Sequence, residues 1–509
     1  MSILYAISIG VLTAYGVNLL WLSYRFARTD MLKAGPVPEP GALPSPLPEW
    51  PRVTVQLPFY NEPLVAERLI DACARLDYPA EKLEIQVLDD SVDATPDIVA
   101  SRVAFWQRRG IDMTHVRRFR RDGFKAGALA NGLQLARGRL IAIFDADFVP
   151  QPDFLKRLLP VFADDRLGVV QARWGHLNAD ASLLTRLQSV GLDTHFAVEQ
   201  RTRNRSDCFM NFNGTAGIWR RACIDDAGGW QGDTIAEDLD LSYRAQLAGW
   251  QFRFLDDVAV PAELPSTMSG LRTQQSRWAK GSIETARKLL GPLWASDMSS
   301  RRKIQGSVHL TAHAVFPFVL LAALLHAPLL ASEHAGSGPG EMYFGWMALG
   351  LLGFAGFALA QVLAQRHLYV EWPRRLRFLP AFMAGTIGMC ISNTRAVIEA
   401  LIGRRSAFVR TPKFGDVGPE DDGREAPPQR DAESEPLAEP VRSPRWTLVA
   451  LLEMAMLAYT VGGVVYLGVI GEWAALPFQI LFAAGFGLVV LATFRTNDVR
   501  RRARSSTVA

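Results

Sequence analysis

Five apolar stretches, each about as long as a bilayer is thick, bracket one long block of ordinary mixed sequence. A membrane-crossing helix needs about 20 largely apolar residues. Residues 3–24, 307–330, 343–364, 446–470 and 476–494 meet that requirement. Arg25, Arg28 and Lys33 follow the first stretch directly. No basic n-region precedes it, so it reads as a retained anchor rather than a cleaved signal. Residues 332–340 hold no Lys or Arg, whereas Arg366, Arg374, Arg375 and Arg377 follow the third stretch. Lysine and arginine gather on the cytoplasmic side of a membrane. The mixed block and the basic clusters therefore belong inside.

Residues 378–402 are ambiguous, because Asn393, Arg395 and Glu399 interrupt their second half. If they spanned, Arg404, Arg405, Arg410, Lys413 and the arginines at 500, 501, 502 and 504 would all lie outside. Placing the segment in the interface keeps every basic cluster inside. Five spans and one interfacial helix are expected. The implied organisation is an anchor (1–35), a Pro-rich linker (36–51), a cytoplasmic domain (52–300), then two spans, the interfacial helix and a following loop (301–414). A disordered linker (415–445), rich in charge and Pro, leads to a C-terminal hairpin with a basic tail (446–509).

A net charge of +4, spread as short clusters beside apolar runs, argues for a bilayer as partner and against nucleic acid. Four dispersed cysteines, Cys73, Cys208, Cys223 and Cys390, suggest neither a disulfide framework nor a zinc site.

Within the soluble block, short apolar runs at 53–57, 83–88, 140–144 and 168–172 alternate with helical patterns at 64–76, 95–109 and 126–136. Strands alternating with helices predict an α/β fold with a mainly parallel sheet. Ligands bind at the carboxyl ends of such strands. Asp89, Asp90, Asp145 and Asp147 fall at those ends. The D-x-D pair Asp145/Asp147 suits a divalent cation, Mg²⁺ or Mn²⁺, which completes its shell with phosphate oxygens and water. Asp89-Asp90 suits a nucleoside, although helix capping explains such acids equally well. Lys125 opens a helix where free N–H groups favour a diphosphate. Glu237, Asp238 and Asp240 exceed the needs of a helix start, and one of them suits a general base. Gln274, Arg277 and Trp278 form a Q-x-x-R-W run shortly before the second span. His309 and His313 lack a third ligand and read as packing residues. Arg117, Arg118, Arg120 and Arg121 read as a solvated surface.

In order, Pro58-Phe59-Tyr60-Asn61-Glu62, Asp89-Asp90-Ser91, Lys125-Ala126-Gly127, Asp145-Ala146-Asp147, Gly214-Thr215-Ala216-Gly217, Glu237-Asp238 and Gln274–Trp278 resemble membrane-bound family 2 glycosyltransferases of the cellulose-synthase-like kind. The wording is similar to that of glucomannan and mannan synthases. The resemblance implies a GT-A nucleotide-sugar domain and inverting, processive transfer from a UDP-glucose- or GDP-mannose-type donor to a growing glycan. It assigns Tyr60, Glu62, Asp89, Asp90, Lys125, Asp145 and Arg277 to the donor, and Asp147 with Asp145 to the metal. Asp238, with Glu237, becomes the catalytic base. Gln274, Arg277 and Trp278 line the acceptor and diphosphate site. Phe408, Thr411 and Lys413 look like a gating loop. The expected location is a bacterial inner membrane, with accessory envelope proteins as further partners. A lipid acceptor receiving one sugar is the nearest alternative; a transporter or a non-catalytic scaffold belongs to another class.

Overall fold

The computed structural model of the chain describes residues 1–32, 49–404, 410–415 and 447–506, the side chains of 29–32 and 496–506 excepted. Phe408 and most of both expected linkers lie outside the described residues. Seven strands form one sheet. They are β1 (Val53–Phe59), β2 (Leu83–Asp89), β3 (Met113–Arg117), β4 (Leu140–Ile143), β5 (Leu167–His176), β6 (Gly217–Arg220) and β7 (Gln251–Ala262). Their order is β3-β2-β1-β4-β6-β5-β7. The first four run parallel. β6 is antiparallel to both neighbours, and β7 is parallel to β5. The mixed, mainly parallel sheet expected from the sequence is the sheet observed.

Central strands β2 and β4 are buried at every position. Helices cover both faces, so β4 reads as a continuous apolar run, whereas β2 interleaves Glu84 and Gln86 with its apolar residues. The polar residues among them pair across the register. Thr54 donates to Glu84 at 2.6 Å and Gln56 to Gln86 at 3.0 Å, which satisfies groups that burial would otherwise penalise. β3, β6 and β7 escape the sequence reading. The first two are short, with polar residues interleaved. β7 carries Asp256-Asp257 beside a register shift against β5, and Arg201 holds Asp256 at 2.9 Å.

The helices that build the site are α1 (Phe124–Leu135), α2 (Leu183–Thr194), α3 (Glu237–Leu247), α4 (Met268–Ala295) and α5 (Cys390–Leu401). Among the described residues, five helices are long and apolar enough to cross a membrane: Ser2–Arg28, Ala312–His334, Glu341–Leu368, Leu448–Val469 and Leu476–Arg495. The second begins later than the hydropathy suggested. Residues 300–310 form a separate helix whose polar positions face the soluble domain. Tyr243 meets His309 at 2.8 Å and Trp294 donates to Ser307 at 3.0 Å.

The ambiguous segment becomes two short helices, Leu379–Gly388 and α5. The first packs on the last span, and α5 packs on α4. The fourth span contributes Glu453, which is fully buried and ion-paired with Arg272 of α4. Arg272 also donates to Thr493 at 2.7 Å. The C-terminal hairpin is thereby tied to the helix that carries Gln274, Arg277 and Trp278. All four cysteines are buried and unpaired.

Candidate active site

The ends of β1, β2 and β4 converge on one side of the sheet. After β4 the chain leaves the strand in a turn closed by Phe148 N–H donating to Asp145 O at 3.0 Å. That turn aims the two carboxylates at different cations. Asp145 Oδ1 lies 2.6 Å from Lys125 Nζ, and Asp147 Oδ2 lies 2.5 Å from Lys413 Nζ. Lys125 sits in the first turn of α1. It also donates to Gly214 O at 2.9 Å and lies 3.7 Å from Glu237 Oε1. Burial opposes its charge, but Asp145 and Glu237 outweigh burial and hold its pKa above the ordinary lysine value.

Glu237 and Asp238 begin α3, beside Lys125. Burial pushes the Asp238 pKa up to about 7; the Glu237 charge adds to the shift and Lys125 opposes it. Burial also raises Glu237, against the pull of Lys125. Gly214 has φ +80°, and a Cβ there would lie 3.0 Å from Asp238 Oδ2 and 3.3 Å from Lys125 Nζ. Only a glycine lets that backbone approach both groups. On the other side, Gly281 of α4 packs against Ala236, where a Cβ would meet the Ala236 Cβ at 2.7 Å. This contact sets α4 directly beside Asp238.

Helix α4 presents its Q-x-x-R-W residues to two places. Gln274 and Trp278, four apart and so on one face, line a cavity together with Asp238. Arg277 points about 100° away from Trp278. It donates to Thr411 Oγ1 at 2.9 Å and feels the charges of Asp145, Glu237, Asp147 and Glu62. The cavity holds about 1720 Å³ and continues between the spans to Glu333, Glu341 and Glu472. Glu333 and Glu341 flank the connection between the second and third spans, and Glu472 lies in the connection between the fourth and fifth.

The carboxyl ends of β1 and β2 are more tightly braced than the sequence suggested. Asp89 is only 1 % exposed, and its carboxylate accepts from Ser91 N–H at 2.8 Å and meets His115 at 2.9 Å. Asp89 is turned inward, where its carboxylate braces the Asp90-Ser91 turn. Asp90 pairs bidentately with Arg118. Arg121 stacks over the Tyr60 ring, 3.3 Å from its centroid, and Arg117 donates to Ser91 O at 2.8 Å. The solvated-surface reading is therefore corrected for Arg118 and Arg121, while Arg117 and Arg120 remain exposed. The turn from β3 into α1 passes across the ends of β1 and β2, so its cations meet Asp90 and Tyr60. Glu62 pairs with Arg410 at 2.6 Å. Burial lifts its pKa to about 8; Arg410 and Lys413 oppose the shift, while Asp147 and Asp145 add to it.

Glu263, just past β7, was missed. It is 2 % exposed, accepts from Phe414 N–H at 2.8 Å and Gly415 N–H at 3.2 Å, and pairs with Arg68. Its only sequence signal is an acid closing a long apolar-rich strand. The described part of the expected gating loop, Thr411 and Lys413, lies against the site.

Among the described residues, no group of three or more His, Cys, Asp or Glu side chains is arranged to hold a metal unaided. Two aspartates whose charges reach a buried Glu62 do suit Mg²⁺ or Mn²⁺, which takes one or two protein carboxylates and fills its shell with phosphate oxygens. The donor set is hard oxygen, as those ions require.

A family model described as glycosyltransferase like family 2 matches residues 51–281. Glucomannan 4-beta-mannosyltransferase 9 of Arabidopsis thaliana is 35% identical over 382 residues, 72% of this chain and 68% of the relative. Glucomannan 4-beta-mannosyltransferase 7 of the same plant is 42% identical over 253 residues, 49% of this chain and 46% of the relative. Glucomannan 4-beta-mannosyltransferase 1 of Oryza sativa subsp. japonica is 40% identical over 281 residues, 54% of this chain and 53% of the relative. The chain thus spans about half the length of the last two. Among solved structures, a mannosyltransferase from Pyrobaculum calidifontis in complex with GDP-Man and Mn²⁺ superposes with a TM-score of 0.53. It is 23% identical and covers 79% of this chain and 100% of its own, a likeness of fold.

Proposed function

The chain belongs to family 2 of the glycosyltransferases, in the glucomannan-synthase-like group, and on that premise we propose that it transfers a hexose from a nucleoside-diphosphate donor to a growing glycan. The relatives' names favour a mannosyl donor of the GDP-mannose type over UDP-glucose. One observation carries the reading. Asp238 stands between a carboxylate–lysine cluster suited to a diphosphate and a cavity that leads away between the spans.

In this reading Asp238 takes the proton from an acceptor hydroxyl held beside Gln274 and Trp278. The hydroxyl oxygen attacks the anomeric carbon from the side opposite the leaving group, which inverts the configuration. A buried carboxylate with a pKa near neutrality suits that task. Lys125 and Arg277 face the departing nucleoside diphosphate and neutralise its growing charge. Tyr60 and Asp90 hold the nucleoside end. Asp145 and Asp147 would hold the divalent ion, which when bound would supply Lewis-acid stabilisation to the diphosphate.

The cavity supports extension of a polymer, because it joins the acceptor residues to the far side of the membrane bundle. Membrane attachment rests on the five helices and on the charge distribution. The curated relatives reported are plant proteins, so the expected bacterial inner membrane finds no support in them. The test is release of nucleoside diphosphate by the purified protein from a panel of nucleotide sugars, with Mg²⁺ or Mn²⁺, together with sizing of the product. Asp238→Asn should abolish transfer and keep donor binding; full activity in that variant removes Asp238 as base. A single lipid-sized product would replace the polymer reading with single transfer.

A further inference from the structure

Residues 410–415 dock onto the donor side of the site through groups that already belong to it. Arg410 pairs with Glu62, Thr411 accepts from Arg277, and Glu263 accepts from two consecutive backbone N–H groups at Phe414 and Gly415. These contacts bring Lys413 onto Asp147. Its Nζ lies 2.5 Å from Asp147 Oδ2 and 3.2 Å from Glu263 O, and the residue is only 9 % exposed. A surface lysine meeting a nearby acid by chance would keep its ammonium in water. This one is held by a seated segment.

Lys125 makes an instructive contrast. It neutralises Asp145 from within the fold, fixed on α1 and shared with Gly214 O and Glu237. Lys413 arrives on an irregular segment whose seat is made of side chains.

We propose that Lys413 is an internal counter-cation for Asp147, so that docking of residues 410–415 and loading of a divalent metal on Asp147 oppose each other. The inference rests on the reading of Asp147 as a metal ligand. A partly buried carboxylate needs a positive partner. The ammonium and a divalent cation on one carboxylate would lie within a few ångströms and repel strongly at low effective dielectric. Metal arriving alone must therefore displace the ammonium with only carboxylate oxygens to gain. Metal arriving with a nucleoside diphosphate brings phosphate ligands of its own. The site then binds free metal weakly and the metal–nucleotide complex well.

The experiment is a Mn²⁺ titration of the full-length, detergent-purified protein, read by the electron paramagnetic resonance signal of free Mn²⁺. It is run without nucleotide and again with GDP or UDP. Without nucleotide, Lys413→Met should bind Mn²⁺ on the order of tenfold more tightly than the wild type, a coupling of ordinary size between competing sites. Lys413→Arg keeps the charge and should stay near the wild-type value. Glu263→Gln weakens the side-chain seat, leaves the backbone oxygen that Lys413 Nζ meets, and should move affinity in the same direction as Lys413→Met. Adding Asp147→Asn should remove the gain. Equal nucleotide-free affinity in wild type and Lys413→Met overturns the proposal and leaves the proposed activity standing. No Mn²⁺ binding in any protein, even with GDP or UDP, overturns the metal reading and this proposal together.

Discussion

Gly214→Ala isolates the geometry on which the proposed chemistry depends, because it adds one carbon and no charge. Two opposing effects set the stability change. Alanine restricts the unfolded chain, which stabilises by roughly 0.4–1 kcal/mol where the backbone is compatible. Here φ is +80°, and the left-handed region costs an L-residue roughly 1–2 kcal/mol. The second effect wins by about 1 kcal/mol, which for a domain of this size lowers the apparent melting temperature by roughly 2–4 °C. The catalytic consequence comes from the new Cβ, 3.0 Å from Asp238 Oδ2 and 3.3 Å from Lys125 Nζ. Ordinary contact requires both groups to withdraw by a few tenths of an ångström. A displacement of about 1 Å can cost about a hundredfold in rate. A shift a third to a half as large should cost roughly five- to tenfold in kcat. Donor affinity should change little, because Asp145 keeps its lysine. The assay is initial-rate release of nucleoside diphosphate, with donor binding measured separately and melting followed by intrinsic fluorescence. Unchanged kcat together with unchanged or raised stability would refute the reasoning: Gly214 would then neither require its backbone conformation nor press on the two groups.

Transfer should fall as pH drops through about 7, because protonated Asp238 cannot accept the hydroxyl proton. Glu237→Gln removes a neighbouring negative charge and should move that limb of the kcat/KM profile to lower pH. Lys125→Met should lower transfer by about 10²–10³-fold, the scale of losing one preorganised cation at a leaving group. The same substitution removes the charge that holds Asp238 down and should shift the acid limb upward, which a pH–rate profile would show. Arg118→Met breaks the bidentate pair with Asp90. It should weaken nucleoside diphosphate binding by roughly 10–100-fold, as loss of a charged hydrogen-bonded pair implies, and titration calorimetry would read it without any turnover.

Much of the fold was legible because apolar runs announce themselves. Strand β4 is a continuous apolar stretch, and β1 and β2 are mostly apolar and almost wholly buried. The five long helices follow from length and hydropathy alone. β3, β6 and β7 were not legible, since short strands and strands with buried, paired charges lack that pattern. The start of the second span was misplaced for a related reason. Hydropathy averages along the chain, and Ser307 and His309 find polar partners only in the folded molecule.

The site divides the same way. Sequence alone determined which residue types occur and in what order: carboxylates after strands, a lysine at a helix start, acids opening another helix, and Gln274, Arg277 and Trp278 on one helix. It therefore determined the family and the α/β class. Tertiary structure alone decided which cation meets which acid. Asp145 and Asp147 are two residues apart, yet a turn sends one to Lys125 and the other to Lys413. Asp89 and Asp90 are adjacent, yet one faces inward to His115 and the other outward to Arg118. Helical geometry separates Arg277 from its neighbour Trp278, sending one to Thr411 and the other to the wall of the cavity. Charge pairing depends on distances of a few ångströms between residues hundreds of positions apart in the chain, such as Glu62 with Arg410 and Asp147 with Lys413, and only packing sets those distances.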